Sequence, residues 1–126
     1  MSLFACLAKI LFVGHSLIGP TLPGMVEAGL DRMGLPAVVE AQIINGATLA
    51  YSWDHSDKAE GVDGRKALAG GQVTALVLTE AVPLAGHLKW DDSAGMVARW
   101  AAAAKDGNAK ARVYVYETWT SLKSGT

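Results

Sequence analysis

The sequence predicts an α/β domain in which helices cover both faces of a parallel sheet. Four short apolar segments have the length of strands, and segments with apolar residues at helical spacing separate them. The strand segments are apolar on both faces, which is typical of parallel strands between two helical layers. The chain has 126 residues, 51% of them hydrophobic and 18% charged. This length and composition suit one domain over residues 1–126 and leave little room for a second.

The first half of the chain contains two predicted strands and one helix. Residues 9–13 form an apolar strand that ends at Gly14. A helix follows, and a glycine and a proline end it. A second strand spans residues 37–44 and leads into a predicted loop at 45–53, which opens on the turn pair Asn45-Gly46. The apolar residues of the helix recur at helical spacing: Leu22, Met25, Val26, Gly29, Leu30 and Met33.

The second half contains two more strands and a long helix. A polar, glycine-rich stretch with a short predicted helix at 65–69 precedes a third strand at 74–79. Residues 80–90 are predicted as a loop, and a helix then extends to about residue 105, before a fourth strand at 111–116. Three adjacent residues are candidates for the N-cap of this helix: Asp91, Asp92 and Ser93. Its apolar stripe consists of Met96, Val97, Trp100, Ala101 and Ala104.

The last predicted element is a strand, and no helix follows to cover it. An open parallel sheet normally has both faces of its last strand covered. We therefore expect the chain to be the front part of a longer protein, with the fold incomplete at its C-terminus. A second copy of the chain, in a homodimer, is another way of closing the sheet edge.

Composition and motifs argue against several classes of function. The net charge is −1 and the cations are scattered, so no basic stripe predicts a nucleic-acid partner. No apolar run reaches the roughly 18 residues that cross a bilayer. The single Cys6 and three isolated histidines predict neither a disulfide framework nor a metal site, and no phosphate-binding loop or other cofactor motif is present. As given, the sequence predicts a cytoplasmic protein, or a secreted or periplasmic one if a leader was removed.

Four polar segments follow the predicted strands, at the edge where open α/β sheets form their sites. They are GHS at 14–16, NGA at 45–47, TEA at 79–81 and ETW at 117–119. Ser16 has two interpretations there, as a helix cap or as a nucleophile beside free backbone N–H groups. Pro20 and Pro23 place the start of the helix several residues later. We therefore expect Ser16 to lie in a turn and not at a cap.

Three histidines are candidates to activate Ser16, because a serine nucleophile needs a base within hydrogen-bond reach. His15 is the neighbour of Ser16, and its ring is expected to point away from the hydroxyl. His55 has an aspartate on either side within two residues, and His87 follows the third strand. His15, Trp53 and Trp119 are candidates to line the pocket, and packing under a loop is the alternative role of each tryptophan.

Four segments resemble, in order, blocks of the SGNH or GDSL-like hydrolases. ILFVGHSLIG resembles the first block, whose serine is the nucleophile, here Ser16. IINGATLAYSW resembles the second, whose glycine supplies an oxyanion N–H, here Gly46. ALVLTEAVPL and VYVYETWTSL resemble the third block and the region of the fourth strand. The resemblance covers about residues 9–120. It implies a three-layer α/β/α, flavodoxin-like fold. It also implies an enzyme that hydrolyses esters of small molecules or carbohydrates without a cofactor.

Three departures from the family pattern affect the expected site. The third block lacks the family's oxyanion-binding asparagine, so Thr79 and Glu80 take its place. A carboxylate there is favourable only when it is protonated or turned away. His15 stands where the family has an acidic or amide residue. No histidine has an aspartate three residues before it, as the family's base has, so we expect the base beyond residue 126.

A second interpretation is a non-catalytic α/β module that binds a carbohydrate or a peptide at the same edge of the sheet. The missing asparagine and the missing late histidine favour it. A nucleotide-binding flavodoxin-like domain is a third interpretation. Against it, the first loop offers few hydroxyls for a phosphate, and Pro20 removes one donor N–H.

Overall fold

Five strands and five helices make up residues 7–118, the part of the chain that the computed structural model describes. The strands are β1 Ala8–Gly14, β2 Ala37–Ile43, β3 Glu60–Gly61, β4 Ala75–Leu78 and β5 Arg112–Val115. The helices are α1 Thr21–Arg32, α2 Leu49–Asp54, α3 Gly64–Ala69, α4 Leu84–Trp90 and α5 Ser93–Gly107. A 3-10 turn, Ser56–Lys58, follows α2. The four predicted strands are confirmed to within one residue at each end.

The strands form one sheet in the order β3-β2-β1-β4-β5. The four predicted strands are parallel to one another, and β3 pairs antiparallel with β2, so the prediction of a wholly parallel sheet was wrong at this edge. Gly61, at a φ of 83°, brings the backbone of β3 so close to the Ala41 carbonyl that a Cβ would clash there. The second and third parallel strands, β2 and β4, lie on opposite sides of β1. This reversal opens a crevice at the carboxyl ends of β1 and β4.

Helices lie on both faces of the sheet, as predicted. α1 packs mainly on β2, through the half-buried Leu22, Val26 and Leu30. Its apolar face is narrower than predicted, because Met25 and Met33 are 65% and 71% exposed. No helix within residues 7–118 is both long and apolar enough to cross a membrane.

The main core lies on the opposite face of the sheet from α1, beneath α2, α3 and α5. Trp100 is fully buried at its centre, and its indole Nε1 donates to the Leu49 carbonyl at 3.2 Å. Met96 and Ala104 of the predicted stripe are buried with it, whereas Val97 and Ala101 are half-buried. Leu11, Val13, Leu76 and Leu78 supply the sheet side of this core. The long helix therefore fixes α2 against the sheet.

Two segments predicted as loops are helices. Residues 45–53 contain most of α2, whose N-cap Thr48 accepts a hydrogen bond from the Tyr51 N–H at 3.1 Å. Residues 80–90 contain α4, which begins directly after Pro83. Both helices are shorter than the roughly 11 to 18 residues over which helical periodicity is recognised, which is why their sequences carry no helical pattern. The N-cap of α5 is Asp92, but its side chain makes no capping hydrogen bond.

Candidate active site

Ser16 lies in a turn at the carboxyl end of β1, as predicted. The His15 carbonyl accepts hydrogen bonds from the N–H groups of Ile18 and Gly19, at 3.0 and 3.2 Å, which closes this turn. The side chain of Ile18 folds back over Gly14, where a Cβ would come within 2.5 Å of it. A glycine at the end of the strand therefore allows the turn that leaves Ser16 exposed while both His15 and Ile18 are buried.

Gly46 lies in the turn after β2, beside the end of β1. The Ile44 N–H donates to the Gly14 carbonyl at 3.0 Å. The Ala47 N–H donates to the Ile44 carbonyl at 3.2 Å, and this hydrogen bond closes the turn. Gly46 has a φ of 73°, and no atom lies within 4 Å of where a Cβ would be. Within residues 7–118, the N–H groups of Ser16 and Gly46 donate no hydrogen bond. Two free donors thus lie on neighbouring strand ends, as an oxyanion site requires.

His15 connects the Ser16 turn to the end of β4. Its ring is buried, and Nε2 lies 3.0 Å from the Glu80 carbonyl oxygen. A carbonyl oxygen only accepts, so Nε2 carries the hydrogen, and Nδ1 accepts a longer bond of 3.4 Å from the Leu17 N–H. Both ring nitrogens are engaged with backbone groups. This arrangement fixes the turn and leaves His15 no free nitrogen for the Ser16 hydroxyl.

The Glu80 carboxylate joins β4 to the beginnings of α2 and α5. It is buried, and its Oε1 accepts from the N–H groups of Leu49 at 2.9 Å and Ala81 at 2.7 Å. Its Oε2 accepts from the Ser93 hydroxyl at 2.6 Å. These donors direct the carboxylate into the protein, which is the turned-away arrangement that an adjacent oxyanion needs. The contribution of Glu80 is thus to hold the elements around the site.

Two buried hydroxyls at the same edge of the sheet have no hydrogen-bond partner among the described residues. They are the Oγ1 atoms of Thr79 and Thr118, which follow the adjacent strands β4 and β5. Thr79 is 1% exposed and packs beside Gly14. Buried polar atoms are nearly always hydrogen-bonded in folded proteins. Thr79 is therefore the side-chain donor that the structure leaves free next to the Ser16 turn.

His87 and His55 differ in what orients their rings. His87 Nδ1 lies 2.6 Å from a carboxylate oxygen of Asp91, one helical turn further along the chain. His55 stacks on Tyr51 with ring centroids 3.9 Å apart and bonds the Tyr51 carbonyl, so neither neighbouring aspartate orients it. A histidine held by a carboxylate is the usual arrangement of a general base. Asp91 comes four residues after His87, so this pair does not have the family's spacing of an aspartate three residues before the histidine.

Trp53, one of the two predicted pocket tryptophans, packs within the helical layer. Trp53 packs edge-to-face on Trp100, with ring centroids 5.0 Å apart. The guanidinium groups of Arg65 and Arg99 lie 4.3 and 4.9 Å from its ring centroid. Trp53 therefore belongs to the helical layer, because the last turn of α2 directs it toward α5. Trp119 lies outside the described residues.

Neither the metal-ligating side chains of residues 7–118 nor comparisons with known proteins add a residue to this candidate site. Within residues 7–118, no group of three or more His, Cys, Asp or Glu side chains is arranged to hold a metal ion. The chain matches no protein-family model, no curated protein and no solved structure. The candidate site is thus defined by its own residues: Ser16, Gly46, Thr79, Glu80, His87 and Asp91.

Proposed function

We propose that the chain is a serine hydrolase of the SGNH type, with a flavodoxin-like arrangement of its parallel strands, that cleaves esters of small molecules or carbohydrates. One observation carries the proposal. Ser16 is exposed in a turn at a strand end, and neither its own N–H nor that of Gly46, after the neighbouring strand, has a hydrogen-bond acceptor among residues 7–118. A nucleophile with two adjacent free donors is suited to attack on an acyl carbonyl.

In the proposed reaction, the Ser16 oxygen bonds to the carbonyl carbon while its proton passes to His87 Nε2. The carbonyl electron pair moves to the oxygen, which the N–H groups of Ser16 and Gly46 stabilise. Collapse of this intermediate breaks the bond to the leaving alkoxide, which takes the proton from His87. Water then attacks the acyl-serine by the same steps, releasing the acid and restoring Ser16.

His87 is the histidine among the described residues that best suits the role of base. Asp91 bonds its Nδ1, so the Nδ1 hydrogen is directed at the carboxylate and Nε2 is left to accept a proton. The Ser93 hydroxyl contacts both the His87 carbonyl, at 3.1 Å, and Glu80 Oε2, at 2.6 Å. Since the Glu80 carbonyl accepts from His15, a chain of hydrogen bonds joins α4 to the Ser16 turn.

A fluorophosphonate probe is expected to form one covalent adduct, on Ser16, because such probes react with activated serines. The measurement is the intact mass of the purified chain, followed by peptide mapping of the adduct. Ser16→Ala should remove the adduct, whereas Leu17→Ala, an exposed change in the same turn, should retain it. An adduct on another serine, or none at all, contradicts the proposal.

His87→Ala is expected to lower kcat for a short acyl ester about 10²- to 10⁴-fold, the contribution typical of a general base. Added imidazole should restore part of the lost rate, since it fits the space left by the ring. His55→Ala is the matched control and should keep the wild-type rate, because His55 bonds only a backbone carbonyl. Full activity of His87→Ala beside an inactive Ser16→Ala would assign the base to a residue outside 7–118, as the sequence predicts.

A non-catalytic module that binds a carbohydrate at the same edge is the second candidate. The hydroxyls of Thr79 and Thr118, which have no partner among residues 7–118, favour it, because sugar hydroxyls are suitable partners for them. It predicts saturable binding of a sugar with no probe adduct and no hydrolysis. The adduct experiment therefore separates the two candidates.

A further inference from the structure

We propose that an apolar cavity beside the candidate active site binds the acyl chain of the ester, which makes aliphatic acyl esters the preferred substrates. This inference rests on the proposed serine hydrolase function. The cavity has a volume of about 290 Å³ and lies between α4, α5 and the end of β5. Its apolar walls are formed by Leu49, Leu84, Leu88, Ala94, Val97 and Val115.

Two residues that line the cavity, Leu49 and Glu80, connect it to the candidate oxyanion site. Leu49, in one wall, follows Gly46 by three residues along the chain. Glu80, at the polar end of the cavity, has its carbonyl bonded to the ring of His15, the neighbour of Ser16. Val115 is the last residue of β5, so the cavity lies at the carboxyl edge of the sheet. An acyl group attached to Ser16 therefore has an apolar cavity at the same edge.

The chemistry of the walls selects an aliphatic group over a polar one. Glu80 and Ser93 are the buried polar side chains that line the cavity, and they bond each other at 2.6 Å, whereas Tyr116 and Glu117, which also line it, are exposed to solvent. The other carboxylate oxygen of Glu80, Oε1, accepts hydrogen bonds from the backbone N–H groups of Leu49 and Ala81. These groups therefore have their hydrogen bonds within the protein, and the cavity offers a ligand chiefly hydrocarbon contact.

The size of the cavity sets the expected chain length. A methylene group takes up about the volume of a water molecule, roughly 30 Å³. The cavity thus has room for a chain of about six to eight carbons once loose packing is allowed for. Two-carbon acyl groups leave it empty, and chains much longer than the cavity must extend into solvent.

The test is the chain-length dependence of kcat/KM for the p-nitrophenyl esters of acetic, butyric, hexanoic, octanoic and dodecanoic acid. We expect kcat/KM to rise about fourfold per added methylene up to hexanoate or octanoate, because each buried methylene adds a transfer free energy of that size. Beyond that length we expect no further gain. Equal values from acetate to octanoate in an active enzyme overturn the assignment of the cavity.

Val97→Phe is the variant that tests the location of the chain. Phe at this half-buried wall position fills part of the cavity, so the preference for hexanoate over acetate should fall at least tenfold while acetate hydrolysis is retained. Ala98→Phe, on the exposed side of the same helix, should keep the wild-type profile. Ala94→Phe is a second variant that fills the cavity. Ala94 is exposed in the first turn of α5, so this variant should fold even if Val97→Phe does not.

The outcomes separate this inference from the proposed function. If Ser16→Ala abolishes hydrolysis but the cavity variants keep the wild-type chain-length profile, the acyl chain lies elsewhere and only the inference fails. If Ser16→Ala hydrolyses the esters as well as the wild type, or the wild type hydrolyses none of them, the proposed function fails and the inference with it.

Discussion

Ser16→Ala is expected to lower kcat/KM for p-nitrophenyl hexanoate by about 10⁴- to 10⁶-fold, the loss found when the nucleophile of a serine hydrolase is removed. In the proposed reaction the Ser16 oxygen forms the bond to the acyl carbon, and a methyl group cannot form it. The exposed turn keeps its backbone hydrogen bonds, which come from Ile18 and Gly19 and do not involve the side chain. The measurement is initial-rate kinetics on the purified chain.

Two controls make this result specific. Leu17→Ala changes an exposed side chain of the same turn and should retain the wild-type rate within about twofold, since surface substitutions rarely alter function or stability. The urea midpoint of Ser16→Ala should match that of the wild type, which excludes unfolding as the cause. A Ser16→Ala protein with the wild-type rate would show that another group, or a contaminating enzyme, carries the activity.

The parallel sheet could be predicted because its strands are buried on both faces and form short continuous apolar runs. The antiparallel strand β3 could not, since two residues are too few to show a period. The helices α2 and α4 have six and seven residues, which is shorter than the window of roughly 11 residues that makes helical periodicity recognisable. Their helical state depends on packing against elements that are distant in the sequence, and that packing overrides weak local preference.

The candidate site was predictable in position but not in its connections. Topology alone placed Ser16, Gly46 and Thr79 at one edge of the sheet. The contact of His15 with Glu80 joins residues 65 positions apart, and that of Glu80 with Leu49 joins residues 31 apart, so neither has a local pattern. The pairing of His87 with Asp91 has a local pattern, a spacing of four residues. It is visible only once the segment is known to be helical.

Glu80→Leu is expected to lower the free energy of unfolding by about 3 to 5 kcal/mol, because two buried N–H donors lose their acceptor and a buried hydroxyl donor keeps only its longer bond to the His87 carbonyl. These donors are the N–H groups of Leu49 and Ala81 and the hydroxyl of Ser93. A loss of this size is a large share of the stability of a typical domain, about 5 to 15 kcal/mol. The measurement is urea unfolding followed by tryptophan fluorescence, which reports on the buried Trp100.

Glu80→Gln is the matched control, because the amide oxygen can still accept from the Leu49 and Ala81 N–H groups. The amide nitrogen then donates to the Ser93 oxygen, whose own hydrogen remains free to bond the His87 carbonyl, 3.1 Å away. We therefore expect a loss of no more than about 1 kcal/mol, the size of one ordinary hydrogen bond, and kcat within a few-fold of wild type. A normal stability with a kcat lowered a hundredfold or more would instead place the Glu80 carboxylate beside the reacting atoms. Equal destabilisation by Gln and Leu would show that these three hydrogen bonds do not hold the site together.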